Sequence, residues 1–286
     1  MNLTLVAAWT KARRTLEAAG VDSPVLDARL LLEMAANIDR TAIVTDPHRP
    51  ITDKAAAALE ALTARRVARE PLAHIIGRKG FWKIDLAVGP AVLTPRPDTE
   101  TLVDVVLKAR AGWPRQRILD LGIGSGAILL SLLREWEDAH GVGFDASAEA
   151  LAVARDNAGR LGLSQRCGFT HGDWAAGGVA GGLHEQFDII VSNPPYIPSA
   201  AIDALEPEVA KFEPRQALDG GEDGLAAYRQ IAPVIASALK PNGFFALEVG
   251  RGQAESVRAI LEAAGLKVNA ITLDLNGVAR VVSGGR

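Results

Sequence analysis

The chain has 286 residues, of which 48% are hydrophobic and 23% charged, and its formal net charge is −3. This length allows one large domain or two smaller ones with full cores, and the slight acidic excess disfavours a general nucleic-acid binder. The single cysteine, Cys167, excludes an internal disulfide and a thiolate-cluster zinc site. The five histidines (48, 74, 140, 171 and 184) have no metal-ligand spacing, and no apolar run is long enough to span a membrane. We therefore expect a cytoplasmic protein that binds no metal.

The first part of the chain has the pattern of a small helical bundle. Apolar residues recur at helical spacing over residues 5–19, and Pro24 is typical of the first turn of a second helix. A third helix is predicted to begin at residue 52 or 53 and to continue to Pro71. We therefore predict an N-terminal helical domain of residues 1–77.

The pattern then changes from helix to strand. Residues 78–93 alternate with period two and predict a β-hairpin that connects two domains. Residues 94–286 alternate buried strands with helical stretches, as a mostly parallel, doubly wound α/β sheet requires. The candidates for its buried strands are Arg117–Leu121, Val142–Asp145, Phe187–Val191 and Gly243–Val249. Two further strands joined at Asn276-Gly277 predict a C-terminal antiparallel hairpin.

A glycine-rich loop follows the first of these strands, in the segment DLGIGSGA (120–127). Gly122, Gly124 and Gly126 let the chain turn sharply and let a ligand approach the backbone, while the next helix offers free N–H groups. This pattern predicts a nucleotide-type site, in which Asp145 at the end of the next strand binds ribose hydroxyls. The spacing also satisfies the dinucleotide fingerprint, so NAD remains an alternative ligand.

Asp120, just before the loop, favours another ligand, because the residues before the first glycine of a dinucleotide site are usually apolar. The loop resembles the glycine motif of S-adenosylmethionine-dependent methyltransferases with a Rossmann-like fold. In those enzymes the end of the third strand holds adenine. The corresponding segment here is HGDW (171–174), in which Trp174 either contacts adenine or fills an edge of the core.

The fourth strand is predicted to end in Asn193-Pro194-Pro195-Tyr196, beside the glycine loop. The prolines hold the backbone, so that the Asn193 side-chain oxygen and the Pro194 carbonyl could accept both N–H bonds of a planar amide. Tyr196 could stack on that amide and face a sulfonium charge. No general base is needed, because an N-methylated amide cation loses its proton readily. The pattern therefore predicts a methyltransferase that acts on a planar nitrogen.

Six segments together resemble one family, the release-factor glutamine methyltransferases (PrmC/HemK). This family methylates the glutamine of the Gly-Gly-Gln motif in class-I peptide chain release factors. In chain order the segments are EPLAHIIGRKGFW (70–82), LTPRPDTETLV (93–103), DLGIGSGAI (120–128), VSNPPYIP (191–198), FEPRQALDGGEDGLAAYRQI (212–231) and EVGRGQ (248–253). They extend over most of residues 70–286.

The resemblance implies a Rossmann-like class I methyltransferase domain with a mostly parallel seven-stranded sheet, and an N-terminal domain that recognises the release factor. It implies S-adenosyl-L-methionine as methyl donor, S-adenosyl-L-homocysteine as product, and no metal. The cofactor would be bound by Gly122, Ile123, Gly124, Ser125, Gly126, Asp145, Trp174 and Asn193. The substrate glutamine would be bound by Asn193, Pro194, Pro195 and Tyr196, with Asn193, Pro194 and Tyr196 as the catalytic residues. Arg96 and Glu100 belong to a loop that borders the active site in the family.

Other functions remain open. A methyltransferase acting on the amino group of adenine or guanine in DNA or RNA would share the chemistry of the Asn-Pro-Pro-Tyr segment. The chain shows no recognition domain rich in basic and aromatic residues for such a substrate. An NAD oxidoreductase is disfavoured by Asp120, and a non-catalytic cofactor-binding protein by the intact segment 193–196. We expect a monomer, because no sequence pattern indicates an obligate interface.

Overall fold

The computed structural model describes residues 3–113, 116–174 and 186–286, so that His184 lies outside the described part. The chain divides into two compact units. The first contains Met1–Gly77 and Glu206–Phe212, and the second contains Arg78–Leu205 and Glu213–Arg286. Two details differ from the sequence-based division: residues 206–212 group with the N-terminal helices, and the hairpin within residues 78–93 is part of the second unit.

The first unit is built from helices. They are Leu5–Ala18 (α1), Pro24–Ala36 (α2), Arg40–Thr45 (α3), Asp53–Val67 (α4), Leu72–Ile76 (α5) and, much later in the chain, Pro207–Phe212 (α9). The start of α4 is as predicted, since the Thr52 hydroxyl accepts the Ala55 N–H at 3.2 Å. Its end is earlier than predicted, because Arg69 has a φ of 70°, which a right-handed helix cannot continue. The prediction missed α3 and α5, which have only six and five residues.

Apolar packing holds the three long helices α1, α2 and α4 together. On α1 the buried residues Leu5, Ala8, Ala12 and Leu16 recur every three or four positions, which places them on one face. The same core contains Leu31 and Leu32 of α2, Leu59 of α4 and Ile75 of α5. Each fully buried leucine stabilises the fold by roughly 1.5–3 kcal/mol.

One ion pair is buried in this unit. Arg66 on α4 donates to the Asp27 carboxylate at 2.7 Å and to the Glu208 carboxylate at 2.9 Å, and the arginine and Asp27 are almost fully buried. Glu208 also contacts Arg69 at 2.8 Å. A buried charge that has lost its partner is costly, so Arg66 is the cation on which the buried Asp27 depends.

We expect Arg66→Met to lower the free energy of unfolding by about 3–5 kcal/mol, because it leaves the Asp27 carboxylate buried without a cation. The matched control is Arg65→Met on the same helix, which removes an ion pair to Glu70 from a side chain that is 44% exposed. That change should cost less than about 1 kcal/mol. Urea denaturation followed by circular dichroism measures both values, and equal losses would contradict the assignment.

The second unit contains a short hairpin, a seven-stranded sheet and covering helices. The hairpin pairs Arg78–Phe81 (β1) with Ile84–Ala87 (β2). The sheet strands are Arg117–Leu121 (β3), His140–Asp145 (β4), Cys167–His171 (β5), Phe187–Ser192 (β6), Leu239–Glu248 (β7), Lys267–Leu273 (β8) and Ala279–Gly285 (β9). The helices are Glu100–Ala109 (α6), Ala127–Glu135 (α7), Ala148–Arg160 (α8), Ala226–Ala238 (α10) and Ala254–Ala263 (α11).

The order of strands in the sheet is β5-β4-β3-β6-β7-β9-β8. The pairs from β5 to β7 are parallel, and β9 is antiparallel to both β7 and β8. This arrangement confirms the predicted α/β class, with a mostly parallel seven-stranded sheet and a C-terminal antiparallel hairpin. The strands β3 and β6 are direct neighbours, with Ile118 opposite Ile189. Their exit loops therefore begin side by side.

All four predicted buried strands are present; β3 has the predicted bounds, and the bounds of β4, β6 and β7 differ by one to four residues. β4 begins two residues earlier than predicted, at His140, and it includes two glycines that strand propensity does not favour. A Cβ at Gly141 would lie 2.3 Å from Leu129, so packing of α7 on the strand excludes a side chain there. Among the described residues no helix combines the length and apolarity of a membrane span, and no cluster of candidate metal ligands occurs.

Candidate functional site

A cavity of about 400 Å³ lies at the carboxyl ends of β3, β4 and β6. Crevices at this edge of a doubly wound sheet are where such folds bind ligands, and the volume is within the range of small-molecule sites. Of the residues predicted to bind cofactor or substrate, those in its wall are Gly122, Ile123, Gly124, Ser125, Asp145, Trp174, Asn193 and Pro195. Gly126, Pro194 and Tyr196 are predicted site residues outside the wall.

The glycine loop is held on β4 by its own backbone. The N–H groups of Gly122 and Ile123 both donate to the Phe144 carbonyl, at 2.8 and 3.0 Å. The Ile123 side chain is buried against β4, where a Cβ at Gly143 would be 2.0 Å from its terminal carbon. The side chain of Ile123 thus anchors the glycine loop on the sheet.

Trp174 closes the cavity over the first glycine. Gly122 has a φ of 79°, a conformation that favours glycine, and a Cβ there would lie 3.1 Å from the Trp174 ring, which would have to move by a few tenths of an ångström. The Trp174 ring also stacks on Phe144, with centroids 6.3 Å apart. Trp174 thus packs at the edge of the core, which is one of the two alternatives that the sequence left open, and it also lines the cavity. Its contact with adenine stays a prediction.

Asp120 lies behind the loop and holds the start of α7. It is 1% exposed, and its Oδ2 accepts the Leu129 N–H at 3.2 Å. Leu129 is the third residue of α7, so its N–H has no partner within the helix. Burial raises the pKa of Asp120 to about 7. The carboxyl therefore supports the loop from outside the cavity wall.

Asn157 on α8 is a structural residue of the site that the sequence analysis missed. It is 1% exposed, and its Nδ2 donates to the Ser125 carbonyl at 2.9 Å and to the Ala87 carbonyl at 3.0 Å. Its Oδ1 accepts the Ala87 N–H at 2.7 Å. Asn157 thereby joins the glycine loop to β2. The sequence did contain a sign of this role, because Asn157 is a polar residue on the buried face of α8 that Ala150, Ala154 and Ala158 form.

Asp145 ends β4 in the cavity wall. Its Oδ2 accepts the Gly124 N–H and its Oδ1 accepts the Ser147 N–H, both at 2.9 Å. Burial raises its pKa, with these backbone bonds acting in the opposite direction. A carboxylate has about four acceptor sites, so each oxygen retains capacity for a ligand hydroxyl.

The Asn-Pro-Pro-Tyr segment leaves β6 as a rigid turn. Asn193 donates from its Nδ2 to the Thr99 hydroxyl at 3.3 Å. Within residues 3–113, 116–174 and 186–286, no donor bonds to Asn193 Oδ1 or to the Pro194 carbonyl. Both predicted acceptors therefore lack a donor among these residues; Asn193 lies in the cavity wall, whereas Pro194 is buried and lies outside it.

The segment EVGRGQ fixes the far end of this turn. Gln253 donates from Nε2 to the Tyr196 carbonyl at 2.9 Å and to the Gly224 carbonyl at 3.2 Å. Its Oε1 accepts the Gly250 N–H at 3.0 Å, which fixes the orientation of the amide. The longer motif at residues 212–231 lies against the same turn, where the Gly220 N–H donates to the Ile197 carbonyl at 2.8 Å.

Tyr196 lies outside the cavity wall, with its side chain turned toward the interior of the sheet. Its hydroxyl lies 3.4 Å from Glu248 Oε1, and the residue packs against the core of the sheet. Burial raises its pKa. Tyr196 thus supports the turn from behind in this structure, and a direct contact with substrate stays a prediction.

The two secondary candidates, Arg96 and Glu100, have separate environments. Arg96 is in the cavity wall and forms an ion pair of 3.4 Å with Glu213, whose other oxygen accepts the Thr94 N–H at 3.0 Å. Glu100 lies outside the wall and accepts the N–H of Trp82 at 2.8 Å. Glu100 therefore holds the hairpin turn, while Arg96 can meet a ligand.

The wall fits S-adenosyl-L-methionine, the cofactor that the resemblance implies. The bare backbone of Gly122 and Gly124 suits close approach of the methionine portion. The spare acceptor sites of Asp145 suit ribose hydroxyls, and the Trp174 ring offers a flat apolar surface for a base.

Two protein-family models match the chain. The model described as PrmC N-terminal domain matches residues 7–77, and the one described as methyltransferase domain matches residues 114–271. The release factor glutamine methyltransferase of Caulobacter vibrioides is 55% identical over 284 residues, which are 99% of this chain and 97% of that protein. The protein of the same name from Rhodospirillum rubrum is 51% identical over 93% of this chain and 80% of that protein.

The solved structure of a methyltransferase from Pyrococcus furiosus has a TM-score of 0.54 and 16% identity, and it covers 78% of this chain and 98% of that chain. At this identity the likeness concerns the fold alone. The family is shown by the full-length relatives, and the resemblance drawn from the six segments is confirmed. The chain belongs to the release factor glutamine methyltransferase family.

Proposed function

We propose that this enzyme transfers a methyl group from S-adenosyl-L-methionine to the side-chain N5 of the glutamine in the Gly-Gly-Gln motif of a class-I peptide chain release factor. The observation that carries the proposal is the pair of acceptors without a donor at the end of β6, Asn193 Oδ1 and the Pro194 carbonyl, of which Asn193 lies in the cavity wall. A primary amide has two N–H bonds, which such a pair matches. The names of the curated relatives support the same acceptor.

The chemical difficulty is the weak nucleophilicity of an amide nitrogen. Its lone pair is delocalised, and the barrier to amide rotation, roughly 18–20 kcal/mol, measures that resonance. Bound S-adenosyl-L-methionine supplies an electrophilic methyl group on a sulfonium centre. Asn193 and Pro194 hold the two N–H bonds, so that the nitrogen faces the methyl group, and their oxygens stabilise the positive charge that develops on nitrogen. The methylated cation is strongly acidic and loses its proton after transfer, so the reaction needs no general base.

The cofactor is held by the backbone of Gly122–Ser125, by Asp145 and by Trp174 in this proposal. Gly126 contributes indirectly, because it starts α7 with a φ of 86°. Pro194 and Pro195 restrict the turn, so that the acceptor oxygens need little reorganisation when substrate binds. Tyr196 supports the same turn through its hydroxyl and its carbonyl.

The remaining expectations on partners belong to the same proposal. The N-terminal helical unit recognises the release factor, the enzyme acts as a monomer, and it binds neither membrane nor nucleic acid directly. Because release factors act on ribosomes, the proposed location is the cytoplasm. Light scattering of the purified protein, alone and with a release factor, measures both the oligomeric state and the stoichiometry of the complex.

We expect label from methyl-labelled S-adenosyl-L-methionine to enter a class-I release factor and not its Gln→Ala variant in the Gly-Gly-Gln motif. Bulk DNA and RNA serve as competing acceptors, because the amino groups of bases are also planar nitrogens. Label in nucleic acid instead of protein would overturn the proposed acceptor and move the enzyme to the base-modifying class.

We expect Asn193→Ala to lower kcat about 10²-fold or more, because one of the two acceptors that stabilise the transition state is removed. Cofactor affinity, measured by calorimetry, should largely survive, because the glycine loop and Asp145 are unchanged. The control is Asn276→Ala, at an exposed position in the turn between β8 and β9, which should retain full activity. Full turnover by Asn193→Ala would argue against the proposed role.

We expect Gly122→Ala to weaken cofactor binding several-fold, since its Cβ would lie 3.1 Å from the Trp174 ring and push this part of the cavity wall by a few tenths of an ångström. Gly112→Ala is a matched control: Gly112 has a φ of 78°, close to the 79° of Gly122, but a Cβ there meets no atom within 4 Å. Both variants carry the cost of a left-handed backbone, about 1–2 kcal/mol, and only Gly122→Ala changes the site. Calorimetric titration with the cofactor compares them, and equal affinities would contradict this placement of the cofactor.

A further inference from the structure

Gln253 immediately precedes α11 and bonds to the Asn193–Tyr196 turn, but the mechanism above gives it no part. Its side chain makes three hydrogen bonds, all to backbone groups. Nε2 donates to the carbonyls of Tyr196 at 2.9 Å and Gly224 at 3.2 Å, and Oε1 accepts the Gly250 N–H at 3.0 Å. A glutamine amide has two N–H bonds, so both of its donors are used. The amide is therefore committed to the main chain around the turn and not to a ligand.

Two glycines leave the space in which this amide lies. A Cβ at Gly224 would be 2.6 Å from Gln253 Nε2, and a Cβ at Gly250 would be 2.6 Å from Oε1. Both distances are shorter than real Cβ contacts, so a side chain at either position would displace the amide. Gly224 belongs to the segment at 212–231 and Gly250 to the segment at 248–253, to which the sequence analysis assigned no function. Support of the turn is therefore a role that the two segments share.

The turn has few donors with which to hold itself. Pro194 and Pro195 have no N–H, so the middle of the turn cannot donate a backbone hydrogen bond. Its position therefore depends on the bonds at its two ends. The first end is Ser192, the last residue of β6, which is paired with β7. The second end is the Tyr196 carbonyl, which accepts the hydrogen bond from Gln253.

We propose that Gln253 is a positioning residue for methyl transfer, which fixes the acceptor oxygens of Asn193 and Pro194 by holding the end of their turn. This inference rests on the proposed function, since the two oxygens matter to catalysis only if they hold the substrate amide. Gln253 lies outside the cavity wall, so it acts through the turn and not on a ligand. Without its donor the peptide after Tyr196 can rotate, and rotation moves the preceding residues. A small displacement is costly, because the reacting atoms must be about 3–3.5 Å apart.

Two substitutions separate the hydrogen bonds of Gln253. Gln253→Met has a similar length and removes all three bonds. Gln253→Glu keeps an oxygen for the Gly250 N–H but presents an acceptor to the carbonyls of Tyr196 and Gly224. We expect both variants to lower kcat about tenfold or more, with the calorimetric affinity for S-adenosyl-L-methionine and the KM for the release factor nearly unchanged. Wild-type kcat in either variant would overturn the proposal.

Two controls exclude other causes of such a loss. Gln165→Glu makes the same change of charge at an exposed position between α8 and β5, and it should retain kcat. Leu261→Ala removes a fully buried side chain from the helix that follows Gln253. It should lower the melting temperature at least as much as Gln253→Met does, and it should retain kcat below that temperature. If Leu261→Ala loses as much kcat as Gln253→Met, the loss reflects general destabilisation and the proposal fails.

Amide hydrogen exchange in the free, full-length enzyme tests the positioning without the reaction. The Ile197 N–H donates to the Leu218 carbonyl at 3.0 Å, directly after the Tyr196 carbonyl. We expect this N–H to exchange about tenfold faster in both Gln253 variants than in the wild type and in Leu261→Ala, because the turn opens locally. Unchanged exchange would show that the turn is held without Gln253 and would overturn the proposal. If the wild type transfers no methyl to any release factor, the proposed function fails, and this measurement still decides whether Gln253 holds the turn.

Discussion

The parallel pairing of β3 with β6 is the constraint on which the rest of the site depends. With Ile118 opposite Ile189, the two strands end at the same edge of the sheet, and the glycine loop and the Asn193–Tyr196 turn start as neighbours. In the proposed function one exit exposes bare backbone to a cofactor, and the other presents two oxygen atoms to an amide. The first loop needs glycine and the second needs proline, but both loops must be rigid. If either loop moved, the distance between the methyl donor and the acceptor nitrogen would change.

That rigidity is supplied by buried polar side chains placed behind the loops. Asp120 binds the first turn of α7, Asn157 binds the Ser125 carbonyl, and Gln253 binds the Tyr196 carbonyl. Each satisfies backbone groups that a sharp turn would otherwise leave without a partner in a dry interior. An apolar residue at these positions would pack, but it would leave the loop free to adopt other conformations. The cost of burying amides and acids is thus offset by a single, defined shape of the cavity wall.

Local patterns in the sequence predicted the strands, the glycine loop and the Asn-Pro-Pro-Tyr turn, because strand burial, positive φ and proline each act within a few residues. The supports behind them escaped prediction for a physical reason. Asn157 bonds to a residue 32 positions away, Gln253 to one 57 away, and Asn193 to one 94 away. Thr99 is an example. Its position before a helix predicts a helix cap, but the fold brings Asn193 close enough to donate a hydrogen bond to its hydroxyl instead. Glu100 and Tyr196 belong to segments that the sequence analysis did recognise, but their side chains lie outside the cavity wall. A position in a motif does not determine the direction of its side chain.

The two buried acids near the site also make the stability of the fold depend on pH. The pKa values of Asp120 and Glu248 are raised to about 7, mainly by burial, so the folded state retains their protons in a range where the unfolded chain has released them. By linkage, the stabilising contribution of each acid is complete at low pH and is lost as pH rises through about 7. The enzyme therefore gives up some stability as pH rises toward 7, as expected where a buried acid is kept for the geometry of the site and not for the strength of the fold.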